Sequence, residues 1–307
     1  MRGYAFGFML GQSARRRSRK ALTPSLKLSL KRSWALASMA SSSFSSKRRW
    51  ECLVSRPLDG IVGGIVAEIA LAQLKNLVLV AGHAVYIGPD FLNPEQDRNW
   101  ILQDFQRGEP PFYIEHIRSG VDIAGRDKTS LLVYSGGQTR REAGPRSEAQ
   151  SYWNLAEHFQ WWSQPEVAGR ATTEEFARDS FENLLFAICR FKECAGQYPD
   201  LIHVVSWAFK EERFGLHREA LRFPQARFRF HGVNQPADLT GAQRGEAKAI
   251  AAFRRDLYGT GEDLARKRDE RNPFHRHNPY LLTCPELEGL LRHQSSDFYQ
   301  GSLPWTQ

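Results

Sequence analysis

The chain of 307 residues is 41% apolar and 25% charged, the composition of a globular protein with a substantial core. Its formal charge of +8 is unevenly placed: residues 1–50 hold twelve Lys or Arg and no Asp or Glu, so taking those twelve from eight leaves residues 51–307 at −4. That distribution excludes a nucleic-acid footprint on the folded part, and no stretch reaches the ~18–20 apolar residues of a membrane span.

Residues 1–55 read as a disordered basic leader. Being Arg-rich, Ser-rich (Ser41-Ser42-Ser43, Ser45-Ser46) and free of acids up to Glu51, it has the composition of an organellar transit peptide or of a basic tail. The four cysteines, Cys52, Cys189, Cys194 and Cys284, form no CxxC pair, which points to a reducing compartment. The expected location is the cytoplasm, with the mitochondrion as the alternative if the leader directs import.

Residues 60–75 read as a helix. Leu77-Val78-Leu79-Val80 is a continuous apolar run, the pattern of a strand buried on both faces, and it ends in Ala81-Gly82-His83. Residues 93–106 are expected to be helical, with Trp100, Ile101 and Phe105 on one face, and 112–123 form a further helix. A second strand, Ser130 to Tyr134, runs into Ser135-Gly136-Gly137-Gln138-Thr139-Arg140.

Ser147-x-x-Gln150 is a capping-box pattern that opens a helix, and Thr172-x-x-Glu175 is read as another, opening a long helix to Cys194. Leu201 to Ser206 is the third strand, and a helix from about Lys210 to Leu221 follows. Arg227-Phe228-Arg229-Phe230 alternates as an edge strand does, residues 242–270 are helical and charged, and 272–307 have little periodicity. Alternating strands and helices imply parallel pairing with right-handed crossovers. The expectation is an α/β fold, a three-layer Rossmann-like sandwich with a mainly parallel sheet. Its domain spans residues 56–260, and an extension over 261–307 packs on it.

Ligands of open parallel sheets bind beyond the carboxyl ends of the strands. Three such ends, at Gly82-His83, Ser135-Gly136-Gly137 and Ser206, carry small or polar residues. Gly136, Gly137 and Arg140, helped by Arg146, are expected to bind an anionic small molecule through amides and guanidinium groups, with helix N-termini near Ser147 and Thr172 on the same rim. Glu148 and Glu182 are the candidates for acid–base work, and Asn183 stands beside Glu182. A tight strand-to-helix connection accounts for the glycine pair equally well, and a helix-dipole acid accounts for Glu148. The chain has no GxGxxG, GxxxxGK[ST] or GxSxG motif. His275-Arg276-His277 lacks the company of a metal site.

Taken together, Val80-Ala81-Gly82-His83-Ala84, Ser135-Gly136-Gly137, Arg146-Ser147-Glu148-Ala149, Ser180-Phe181-Glu182-Asn183 and Val204-Val205-Ser206 resemble, in order and rough spacing over residues 76–233, the YdcF-like family of domains of unknown function. The likeness is to its intracellular, fungal-type members. The resemblance implies a Rossmann-like fold with a pocket at the strand ends that takes S-adenosylmethionine or a nucleotide-like ligand. Arg213 matches an arginine of the pattern, whereas Phe209 stands where many members have a histidine, with His217 one helical turn further on. The functional expectation is a domain that binds a phosphorylated or nucleotide-like small molecule, with hydrolase or transferase chemistry. The alternative is a non-catalytic binding or sensor module.

Overall fold

Five strands carry the molecule, and their apolar runs explain their placement. In the computed structural model, which describes residues 71–236 and 238–306, they are β1 (Asn76–Ala81), β4 (Ser130–Ser135), β5 (Ala171–Glu174), β6 (Leu201–Ser206) and β7 (Phe228–Gly232). They pair in the order β5-β4-β1-β6-β7, and every pairing is parallel. Leu77 of β1 lies opposite Leu131 of β4 and Ile202 of β6. β1, central and flanked on both sides, is buried from Leu77 to Ala81.

The two faces of the sheet follow the two-residue period of the strand. Val78, Val80, Leu132, Tyr134 and Val205 point to one side and pack on Tyr113, Ile117 and Val121 of helix α1 (Pro110–Arg126) and on Tyr152 and Leu155 of α2 (Glu148–His158). Leu77, Leu79, Leu131, Val133, Ile202 and Val204 point to the other. They meet Phe181, Leu184, Ile188 and Phe191 of α3 (Ser180–Ala195) and Phe214 of α4 (Glu211–Ala220). The fold is therefore the three-layer, Rossmann-like α/β sandwich.

The second core also takes in Phe253 of α5 (Leu239–Arg255), Leu264 of α6 (Glu262–Glu270), and Tyr280, Cys284, Leu287, Leu303 and Trp305. The indole of Trp305 donates to Leu221 O at 2.7 Å, and the Tyr280 hydroxyl donates to Glu174 at 3.0 Å. Among the described residues no helix is long and apolar enough to cross a membrane.

Two elements differ from expectation. Residues 93–106 are not a helix. They hold single helical turns at Asp97–Asn99 and Asp104–Gln106, and strand β3 (Trp100–Ile101), which pairs antiparallel with β2 (Val85–Tyr86). Polar side chains here compete for backbone groups: Asn99 Nδ2 donates to Asn93 O, and Asp97 accepts from the Gly108 amide. Trp100 is buried against Tyr86, whereas Phe105 is 75% exposed, so the expected shared face does not exist.

Thr172-x-x-Glu175 is not a helix cap either. Thr172 and Thr173 lie in β5, opposite Val133 and Tyr134. The long helix starts at Ser180 with Asp179 as its cap, whose Oδ1 accepts the Glu182 amide at 2.9 Å. The leader and residues 60–70 of the helix expected over 60–75 lie outside the described residues; of the rest, Leu71 and Ala72 are helical and 73–75 are not.

Candidate functional site

A cavity of about 750 Å³ opens at the carboxyl edge of the sheet. From β1 the chain builds the sheet outward through β4 to β5 on one side, then returns to add β6 and β7 on the other. The ends of β1 and β6 therefore diverge into a crevice, where open α/β sheets take their ligands. Gly82 and His83 after β1, Ser206 at the end of β6 and Trp207 after it line the crevice.

Glu148, the first residue of α2, reaches into this crevice because two glycines leave room for it. A Cβ on Gly82 would stand 2.7 Å from Glu148 Cβ, and a Cβ on Gly136 would stand 2.7 Å from both Glu148 Cβ and Oε2. The Ser147 hydroxyl caps the helix by accepting the Gln150 amide at 2.9 Å, and the Glu148 amide donates to Gly137 O at 3.2 Å. Thr139 Oγ1 donates to Glu148 Oε1 at 2.6 Å. Burial raises the carboxyl's pKa, against the opposing pull of the Thr139 hydrogen bond and of Arg271, Arg140 and Lys210.

The glycine turn itself works differently from expectation. The Gly136 amide donates to Glu174 O at 3.0 Å and the Gly137 amide to Ala177 O at 2.7 Å. Neither residue lines the cavity. The turn supplies space for Glu148 rather than amides for an anion.

Ser135 is also outside the wall: its buried hydroxyl donates to Glu174 at 2.7 Å and contacts Asn183 Oδ1 at 3.0 Å. Glu174 is held at its two oxygens by Ser135, Tyr280 and the amides of Phe176 and Ala177, and burial pushes its pKa up to about 7.

Glu182 is not an acid–base group of the cavity. Its carboxylate is clasped by Arg178, at 2.6 Å and 2.9 Å, with Arg268 at 3.5 Å, and does not line the wall. Arg146 is exposed and also stands outside it. Of the other expected residues, Gly82, His83, Arg140, Asn183, Ser206 and Arg213 do line the cavity with Glu148. Arg213 is bound by Glu246 through two contacts of 2.9 and 2.8 Å. His217 is buried elsewhere, its Nε2 2.7 Å from Ser180 Oγ, while Phe209 lines the cavity and stacks on Trp207.

His83 packs among Tyr113, His116 and Trp207. Burial, then the positive charge of Lys210, keeps its pKa well below the ordinary value, so the ring is neutral. Among the described residues, its Nε2 and the Ser206 hydroxyl are buried without a hydrogen-bond partner.

Several wall residues were not among the expected set: Glu109, Thr139, Lys210 and Arg271. Glu109 accepts from the Tyr113 hydroxyl at 2.6 Å, and burial raises its pKa. Lys210 Nζ lies 3.4 Å from His83 Nδ1, and burial with the nearby Arg213 charge lowers its pKa to about 7. Arg271 donates to Arg178 O at 2.9 Å, and Arg140 reaches the Gln103 amide oxygen at 2.7 Å. Among the described residues neither Arg140 nor Arg271 has a carboxylate within salt-bridge distance. A lysine directly after a strand-end segment was the one available sequence signal for Lys210.

These features define a Rossmann-like α/β protein with a polar crevice at its sheet reversal. The chain is similar to the uncharacterized protein YOR238W of Saccharomyces cerevisiae. The two are 30% identical over 247 residues, which takes in 62% of this chain and 81% of the yeast protein. The chain belongs to the same family as that protein. No family model matches it, and no solved structure matches it.

Proposed function

We propose that the crevice binds a phosphorylated or nucleotide-like small molecule, S-adenosylmethionine included, and that the chain is a divergent relative of the YdcF-like domains. One observation carries the reading: two guanidinium groups, Arg140 and Arg271, line a cavity at the sheet's switch point, and among the described residues neither has a carboxylate within salt-bridge distance. Guanidinium charge persists at any physiological pH and suits planar oxyanions. Burial raises the pKa of the opposing carboxyls Glu109 and Glu148, which weakens their competition with an anionic ligand for the two guanidinium groups.

Glu148 is the residue suited to acid–base chemistry in a hydrolase or transferase reaction. It is fixed in place by Thr139, and burial favours its protonated form. In the second reading the same wall binds a ligand and turns nothing over. The substitution of Phe209 for the histidine of the resembled pattern supports that reading.

A thermal-shift screen of nucleotides, S-adenosylmethionine and phosphosugars tests the site. A ligand at a hundred times its Kd stabilises by about 2.7 kcal/mol, or roughly 5–10 °C for a domain of this size. Arg140→Ala with Arg271→Ala should abolish that shift. No response to any anionic compound would refute the anion site. Turnover of a hit by the native chain and its loss in Glu148→Gln, with binding retained, would establish the enzyme; binding without turnover in either form would establish the non-catalytic module.

A further inference from the structure

Among the described residues Lys210 has no counter-ion within salt-bridge distance, and the reason is visible in the packing around it. The nearest acid on α5, Glu246, is fully engaged by Arg213 through both oxygens. Among the described residues no carboxylate comes within 4.0 Å of Lys210 Nζ, and its nearest polar contact is the neutral ring of His83 at 3.4 Å. The Phe209 ring lies 5.7 Å from Nζ, and Trp207 stacks behind it. An amine buried beside the Phe209 and Trp207 rings and the Arg213 guanidinium, and facing a cavity, is the arrangement that favours a neutral, nucleophilic lysine; the carboxylates of Glu246, Glu109 and Glu148 pull the other way and are outweighed by burial.

We propose that Lys210 is a nucleophile that forms an imine with an aldehyde or ketone held in the crevice. This rests on the crevice being a ligand site and names the ligand class: a carbonyl compound bearing an anionic group. The neutral amine adds its lone pair to the carbonyl carbon, forming a C–N bond and breaking the carbonyl π bond. A proton moves from nitrogen to the former carbonyl oxygen, with His83 Nδ1 in reach as a relay. The hydroxyl then leaves as water, with a proton from a carboxyl such as Glu148, whose pKa burial raises, and the nitrogen returns its remaining proton to that carboxylate. Amine and carbonyl become imine and water, and no oxidant or reductant enters. The pKa of about 7 accords with this, since about half of such amines are neutral at pH 7 against well under 1% of an ordinary exposed lysine.

The test uses the full chain, with pyridoxal 5′-phosphate and pyridoxal as separate probes, borohydride trapping at pH 7 and peptide mapping by mass spectrometry. Lys210 should be labelled saturably and at least about tenfold faster than the exposed Lys75, Lys128 and Lys248. Its rate should level off near pH 8 while theirs keep rising. Lys210→Arg and Lys210→Met should lose this label and leave the others unchanged; either variant that melts as the native chain does serves.

A preference for the phosphate ester supports both the nucleophile and the anion site. Equally fast labelling by the two probes supports the nucleophile and refutes the anion site. Labelling of Lys210 no faster than that of exposed lysines, with both probes, overturns the nucleophile and leaves the thermal-shift result to stand on its own.

Discussion

Glu148 is in the crevice because two positions near it have no side chain. Gly82 and Gly136 close on its Cβ and carboxylate from the ends of neighbouring strands, at distances a real Cβ does not tolerate. A methyl group at 136 would have to push Glu148 aside, and with it the hydrogen bond from Thr139. Gly136→Ala should therefore cost about 1–3 kcal/mol and blunt any ligand response that depends on Glu148. Gly215 gives the contrast. It lies within α4, and an added Cβ there meets nothing within 4 Å. Gly215→Ala should stabilise by roughly 0.5–1 kcal/mol, since alanine loses less backbone freedom in a helix. Urea unfolding of both variants checks the pair; equal stabilities would mean the Glu148 slot is not rigid.

At the level of elements, the two helices that feed the crevice are capped differently. Ser147 only accepts an amide, whereas Asp179 accepts the Glu182 amide with one oxygen and the Arg268 guanidinium with the other, at 2.7 Å. The Arg268 side chain is only 10% exposed, so removing its closest partner leaves a buried charge with only the longer 3.5 Å contact to Glu182. Ser147→Ala should cost about 1 kcal/mol and Asp179→Ala about 3–5 kcal/mol, and similar denaturation midpoints for the two would contradict the assigned roles.

These caps also show what the sequence can express. The Ser147 pattern is local and describes a real helix start. The Thr172-x-x-Glu175 pattern is equally good locally, yet pairing with β4 outweighs it, because β-branched threonines fit a sheet edge. Strands β1, β4 and β6 were legible because burial on both faces demands continuous apolar runs. Gly82, Glu148 and Ser206 were legible because a strand end has a fixed place in such a sheet. Lys210, Glu109 and Arg271 were not, since only tertiary packing brings their elements to one cavity. The spent amides of Gly136 and Gly137 were hidden for a related reason: their acceptors, Glu174 and Ala177, lie in the segment read as helix.

For the whole molecule, the buried titratable groups set a pH profile whose sign can be worked out. His116 donates to Asn234 Oδ1 at 2.8 Å, His217 is tied to Ser180, and burial lowers both to about 3. Each is neutral when folded but takes a proton in the unfolded chain below its ordinary 6.5, so each contributes stability above pH 6.5 that is lost as pH falls toward 3. Glu174 acts in the opposite sense. Held near 7 against an ordinary 4.5, it binds a proton in the folded state first, and its contribution fades as pH rises from 4.5 to 7. Between pH 6.5 and 4.5 the unfolded chain thus binds protons at the histidines that the folded chain leaves empty, while the folded chain already holds one at Glu174. Stability should fall with falling pH there, and more steeply from 4.5 to 3, where the unfolded chain's Glu174 takes its proton as well. His83, also held low by burial, acts in the same direction as the other two histidines. Urea midpoints at pH 7.5, 5.5 and 4.0 should show the change of slope. Glu174→Gln removes an opposing group, so its stability should fall more steeply than the native chain's between 6.5 and 4.5. A flat profile over that range, or an unchanged slope in Glu174→Gln, would show that these groups are not titrating from the buried positions described.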